Sequence, residues 1–326
     1  FPQLIAGPIV LFRNIDRQIA RGRHDGFLLR ASTHFGLILL AIGLFKKVVI
    51  ADSMATFADA VFRYAELPNA PLGFLDAWIG AATYSLQLYF DFSGYSDMAI
   101  GMARMFGFRL PTNFNSPYQA TSIIDFWRRW HITLSSFFRD YVYIPLGGNR
   151  KGLAMQAFFI LVVFFLTGLW HGAGWTFVVW GSVHGVLVLT NHLWQRLTPY
   201  RMPRMLGWAM TLASVVVLWV VFRAPSLAIA SKVLAAMIWP RPLTAGAIAY
   251  LGVPKITYLW PVLIWIIAVT GPNSRTIAEW LRKGRFGVTP AIADRWWLPA
   301  AVTGAALYVA VSSIGHVPSK FIYFNF

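Results

Sequence analysis

Long apolar runs separated by short basic connections set the pattern of this chain. Runs approaching the roughly 20 residues that a bilayer requires occur at about 33–51, 72–90, 154–171, 175–195, 205–223, 256–271 and 297–315, and each predicts a membrane-spanning helix. Lipid offers no partner to backbone N–H and C=O groups, so a single apolar run must satisfy them internally as a helix. Shorter, more polar segments at 92–108, 126–146 and 226–240 predict re-entrant, interfacial or internally packed pieces. The expected fold is an all-α polytopic membrane protein, with no repeat of one half in the other.

Loop charge gives an orientation. Arg139, Arg150 and Lys151 precede the 154–171 run, His171-Gly172-Ala173-Gly174 carries no Lys or Arg, and Arg196, Arg201 and Arg204 follow the next run. Since Lys and Arg concentrate on the cytoplasmic side, 154–195 is expected to be a hairpin whose tip points away from the cytoplasm. The 272–296 loop, with Arg275, Arg282, Lys283, Arg285 and Arg295, is then expected to be cytoplasmic. Arg223, Lys232, Arg241 and Lys255 fit this alternation poorly, because 223–255 should lie outside.

Composition agrees with lipid as the solvent: 57% of the 326 residues are hydrophobic, 16% aromatic and only 12% charged, against about 25% charged in a soluble domain. The 15 Trp and 12 Tyr suit headgroup-level belts. The net charge of +16 would suggest nucleic acid on a soluble protein. Here the basic residues cluster between apolar runs, so no nucleic-acid partner is expected. The absence of Cys rules out disulfides, thiolate metal sites and a Cys nucleophile. Phe1-Pro2-Gln3 opens as though in mid-protein, with no signal-peptide pattern, and predicts a fragment lacking upstream helices.

Several polar groups lie where apolar residues would be expected. Gly168-Leu169-Trp170-His171-Gly172 ends a strongly apolar run, and an ionisable ring at membrane depth must face a cavity or a partner. The alternative is an interfacial or packed histidine with a satisfied ring. Read as one helix, 126–141 places Phe126, Trp127, Trp130, Leu134, Phe137, Phe138 and Tyr141 on an arc of about 120°. His131 falls at the edge of that arc, with Arg128, Arg129, Ser135, Ser136, Arg139 and Asp140 opposite. This suits either a surface helix or the wall of a wet funnel. Asp91 and Asp97 adjoin the 72–90 run, where pairing with Arg or capping of a helix is the expected role. Ser93 and Ser96 lack the strand-turn-helix setting of a nucleophile elbow. His131, His171 and His184 have no metal-ligand spacing, so no metal is expected.

Six segments in order carry a resemblance: Phe1-Pro2-Gln3-Leu4-Ile5-Ala6-Gly7-Pro8-Ile9, Gly43-Leu44-Phe45-Lys46-Lys47, Tyr89-Phe90-Asp91-Phe92-Ser93-Gly94-Tyr95-Ser96-Asp97, Phe126-Trp127-Arg128-Arg129-Trp130-His131, Pro145-Leu146-Gly147-Gly148-Asn149-Arg150 and Leu169-Trp170-His171-Gly172. Together they resemble the membrane-bound O-acyltransferase (MBOAT) family. The match is strongest to its alginate O-acetylation branch and more distant to teichoic-acid D-alanylation. The resemblance implies a single membrane domain over 1–326, N-terminally truncated, folded as a helical bundle around a funnel with short re-entrant or interfacial helices. It implies a multi-pass protein of the bacterial inner membrane, with no tightly bound cofactor and a cytoplasmic thioester donor, acetyl-CoA or an acyl carrier protein. It also implies a hydroxyl acceptor on an extracytoplasmic polysaccharide, and a secreted or periplasmic esterase-like acetyltransferase as partner. Peptidoglycan or teichoic acid is the alternative acceptor. His171 matches the family's essential histidine and His131 its second catalytic position.

The chemistry suits these residues: a hydroxyl needs a base to become nucleophilic, and imidazole, with a pKa of about 6.5 when unperturbed, can serve. Burial would hold the ring in its neutral, proton-accepting form. Arg128 and Arg129 are candidates to hold the donor's phosphates or offset oxyanion charge. In Phe321-Ile322-Tyr323-Phe324-Asn325-Phe326, the spacing resembles a C-terminal motif of bacterial extracellular acyl transfer, which makes Tyr323 a candidate acyl carrier. An interfacial anchor is the plainer reading of that tail. A secondary transporter is the rival from another class, although such proteins tend to show repeated halves.

Overall fold

Apolar runs become helices throughout the computed structural model, which describes residues 7–20, 26–239 and 259–282 together with Gly304 and Tyr308. Among the described residues every regular element is helical. Helix α1 (Phe12–Ala20) precedes α2 (Gly26–Phe45), which passes through a π-helical segment (Lys46–Ala51) into α3 (Asp52–Glu66). The long α4 (Phe74–Met105) follows. An irregular stretch leads to the short α5 (Ile123–Trp127) and α6 (Ile132–Phe138) and a second π-helical segment (Arg139–Tyr143). Then come α7 (Gly152–His171), α8 (Trp175–Leu197), α9 (Arg204–Arg223), α10 (Leu227–Ile238), α11 (Leu259–Thr270) and α12 (Ser274–Arg282).

Ser32–Glu66, Gly152–His171 and Arg204–Arg223 are long and apolar enough to cross a membrane by length and composition, and α10 and α11 are shorter apolar helices. Three sequence expectations change. The 72–90 and 92–108 segments fuse into α4, because the acids that look like a span boundary are neutralised in place. The 126–146 segment is broken rather than continuous. The 175–195 run yields α8, which is long enough but not apolar enough to cross a membrane by composition; the 256–271 run is described only from Leu259, as α11, and 297–315 lies outside the described residues apart from Gly304 and Tyr308.

Neutralisation of α4 depends on the π-helical segment. Lys46 Nζ lies 2.7 Å from Asp97 Oδ2 and 3.2 Å from Ser93 Oγ, while Lys47 Nζ lies 2.8 Å from both Asp91 Oδ1 and Asp52 Oδ1. Lys47 and Asp91 are buried. Either charge alone at such depth would be strongly unfavourable, and the pair is tolerated because each meets its counter-ion. The expectation that these acids pair is met, with Lys rather than Arg as partner. Glycine zips α2 against α4: a side chain at Gly36 would strike the Gly101 carbonyl, and one at Gly43 the Gly94 carbonyl. This antiparallel register puts small residues where backbones meet, as helix association in lipid favours.

Two of the misplaced basic residues also find internal roles. Arg223 NH2 meets Asp59 Oδ1 at 2.8 Å, and Lys232 Nζ donates to the Ala65 and Leu67 carbonyls at 2.8 and 3.1 Å. Engaged in this way, they carry less weight as loop charges.

Candidate active site

His131 sits where the chain reverses between α5 and α6. Its backbone is left-handed, φ 42° and ψ 53°, a conformation costing a non-glycine residue about 1–2 kcal/mol but better tolerated by His, Asn and Asp. The neighbouring extended segment holds it there. Asn115 N donates to Arg129 O at 2.9 Å and Ile132 N to Asn113 O at 3.0 Å.

The Asn113 side chain then sets the ring. Its Oδ1 receives Thr133 N at 3.3 Å and Thr133 Oγ1 at 2.9 Å, and lies 3.1 Å from His131 Nδ1. A backbone N–H can only donate, so that amide atom is an acceptor and His131 Nδ1 must carry the proton. The lone pair of the neutral ring therefore lies on Nε2. Asn113 is itself fixed, with Nδ2 donating to Ser96 Oγ at 3.2 Å. Phe92 meets the His131 ring edge-on at 4.7 Å and Phe114 stacks at 6.5 Å.

His171 closes α7, and its buried ring touches Trp170, Trp180 and Phe222 at 5.0–5.2 Å, edge to face in each case. Trp170 is half-exposed and lies 6.0 Å from His131. One indole thus lies against both imidazoles. The helices beneath are pressed together by glycine: a side chain at Gly168 would overlap the Phe177 carbonyl, and one at Gly181 the Phe164 carbonyl. Gly172 terminates α7 at φ 155°, with the Phe177 ring where a Cβ would stand. No L side chain fits that conformation readily.

His184 is fully buried, and its Nδ1 accepts from Trp127 Nε1 at 3.3 Å. Indole only donates, so the proton of this ring is on Nε2. Among the described residues no group of three or more His, Asp or Glu side chains is arranged to hold a metal ion. Arg129 Nε is bound to Asp125 Oδ1 at 2.9 Å, and Arg128 is exposed on the side of His192 and Arg196. The structure therefore brings His131 and His171 together and places Arg128 at a different surface. Tyr323 lies outside the described residues. Asn113 escaped the sequence reading, since a polar residue in the aperiodic Leu110-Pro111-Thr112-Asn113 stretch gives no pattern to follow.

The helical bundle thus buries two imidazoles in contact with one tryptophan. The chain belongs to the membrane-bound O-acyltransferase family, whose model matches residues 1–231. It is 48% identical over 241 residues to a peptidoglycan O-acetyltransferase of Helicobacter pylori, covering 73% of this chain and 45% of that protein. It is 46% identical over 240 residues to a probable alginate O-acetylase AlgI of Azotobacter vinelandii, covering 73% and 46%. A teichoic acid D-alanyltransferase of Bacillus subtilis shares 32% over 207 residues, covering 60% and 50%. The chain spans about half the length of the curated relatives it matches.

Proposed function

We propose that this chain forms the catalytic membrane core of an O-acetyltransferase that moves an acetyl group from a cytoplasmic thioester toward hydroxyls of an extracytoplasmic polysaccharide. The observation that supports this most is the pair of buried imidazoles sharing Trp170, one of them locked by Asn113 with its lone pair on Nε2. His171 is the principal base. It removes the hydroxyl proton as oxygen attacks the thioester carbonyl, and the proton then goes to the departing sulfur. His131, presenting a fixed acceptor beside the same Trp170 ring, orients the incoming group. Arg129, already bound to Asp125, and exposed Arg128 serve the donor's phosphates only if the donor lies along that surface.

Alginate or a similar exopolysaccharide is the acceptor we assign, with peptidoglycan the second reading because a peptidoglycan-acetylating relative is equally similar. An inner-membrane location and an esterase-like partner outside the membrane follow from that reaction. In this scheme the Tyr323 phenol carries the acetyl group as an ester between the thioester and that partner, and is regenerated on transfer. The test is transfer of labelled acetyl from a thioester to each polysaccharide by membranes holding His171→Ala. Loss of transfer with normal insertion supports the reading, and near-normal transfer overturns it.

A further inference from the structure

A narrow cleft of about 30 Å³ lies between α2, α4 and the start of α12, lined among others by Lys46, Asp97, Arg104, Thr112, Ser274 and Arg275. Helix α12 is capped by Asn273, whose Oδ1 accepts from Thr276 N at 2.9 Å and Thr276 Oγ1 at 3.2 Å. That satisfies one amide of the first turn. The N–H groups of Ser274 and Arg275 meet no acceptor among the described residues. The first turn of a helix, with its positive dipole end, is suited to an anion.

The side chains facing this turn point the same way. Ser274 is only 4% exposed, and its Oγ has no hydrogen-bond partner. Arg104 Nε is buried without a partner, and the guanidinium lies 5.5 Å over the Phe35 ring. Arg104 forms no ion pair among the described residues; Arg109 and Arg275 stand near enough to repel it and Glu279 near enough to attract it. The carboxylates nearby are committed: Asp97 to Lys46 at 2.7 Å and Glu279 to Arg275 at 3.1 Å. A guanidinium with an unpartnered Nε and no ion pair among the described residues, an orphaned buried hydroxyl and free helix amides therefore converge on one small space. Each is costly to leave unmet.

We infer that this cleft binds a phosphoryl group. Its small size suits a compact group such as an oxyanion better than an acyl chain or a nucleobase. Its inner wall, Tyr89 and Phe114, backs onto His131 through the Phe114 ring. Two sources carry this chemistry: a phosphate of the thioester donor, which rests on the transferase reading, and the headgroup of an anionic phospholipid, which does not.

The test uses the purified chain in nanodiscs of phosphatidylcholine alone or with phosphatidylglycerol, measuring binding of coenzyme A, pantetheine and inorganic phosphate, and thermal stability. If the donor is the source, coenzyme A binds and pantetheine does not, the affinity falls with salt, and Arg104→Gln weakens it by about tenfold or more. Arg104→Lys restores part of that loss, and Ser274→Ala gives a smaller loss without disturbing the fold. If lipid is the source, phosphatidylglycerol raises the melting temperature of the parent chain and not of Arg104→Gln. Equal behaviour of the parent, Arg104→Gln and Ser274→Ala toward all probes and both lipids overturns the inference. His171→Ala should bind as the parent does while losing acetyl transfer, so failure of the transferase reading shows in the transfer assay and not in the binding.

Discussion

Replacing Asn113 by Leu keeps the size of a fully buried side chain and removes the acceptor that receives His131 Nδ1 at 3.1 Å and Thr133 N at 3.3 Å. The Thr133 hydroxyl can rotate to another partner, but the backbone N–H and the ring N–H cannot. Two orphaned donors at about 1–3 kcal/mol each predict a destabilisation of about 2–6 kcal/mol. The catalytic effect follows from the tautomer. A hydrogen bond with a net value of about 1–1.5 kcal/mol biases the ring by about tenfold, and loss of orientation adds to that. A ring held at about 10:1 falls to about 1:1, which alone costs about twofold, so with lost orientation Asn113→Leu should lose several-fold in kcat. Asn113→Asp, which retains all the acceptor contacts, should favour protonated His131 and move the acid limb of the pH–rate profile upward. The assay is single-turnover acetyl transfer in detergent, with folding followed by thermal melting. A folded Asn113→Leu protein with kcat equal to the parent's would refute the tautomer argument.

Gly172→Ala puts a methyl against the Phe177 ring in a conformation near φ 155°. It should cost about 1–3 kcal/mol, read as a fall in melting temperature, with loss of activity if the His171 ring shifts. Lys47→Met leaves Asp91 and Asp52 without their shared cation. A loss of about 3–5 kcal/mol is expected, partly recovered by Asp91→Asn in the same chain, and a melting temperature unchanged by Lys47→Met would contradict the pairing. Tyr323→Phe preserves an aromatic anchor and removes the hydroxyl; polysaccharide acetylation in cells should cease, and its persistence would reduce the tail to an anchor.

Helices α7 and α9 were legible because each is one nearly uninterrupted apolar run, whereas α8 is interrupted by Ser182, His184, Asn191 and His192. The full length of α4 was not. Asp91 and Asp97 interrupt hydrophobicity just as a span boundary would, and the lysines that neutralise them lie more than forty residues earlier. His171 stood out because one ionisable ring ended an apolar run. His131 was picked out by its neighbours, yet its geometry was hidden: no Gly or Pro marks the reversal, and helical spacing across 126–141 is good. A tertiary contact with Asn113 overrides that local preference. The phosphoryl cleft was invisible for a similar reason, since Arg104 and Ser274 are far apart in sequence and face one space only when α12 docks against α2.

The left-handed backbone at His131 also governs which substitutions the position can absorb over time. A β-branched residue there would be penalised twice, by its own φ and ψ and by losing the ring that fills the space between Phe92 and Phe114. Asn or Asp would keep the turn at little conformational cost and could still meet the Asn113 carboxamide. Glycine would keep the turn and empty the chamber. Exchange at this site is therefore channelled toward short polar side chains by the backbone alone, before any selection on catalysis, and a change there can alter chemistry while leaving the bundle folded.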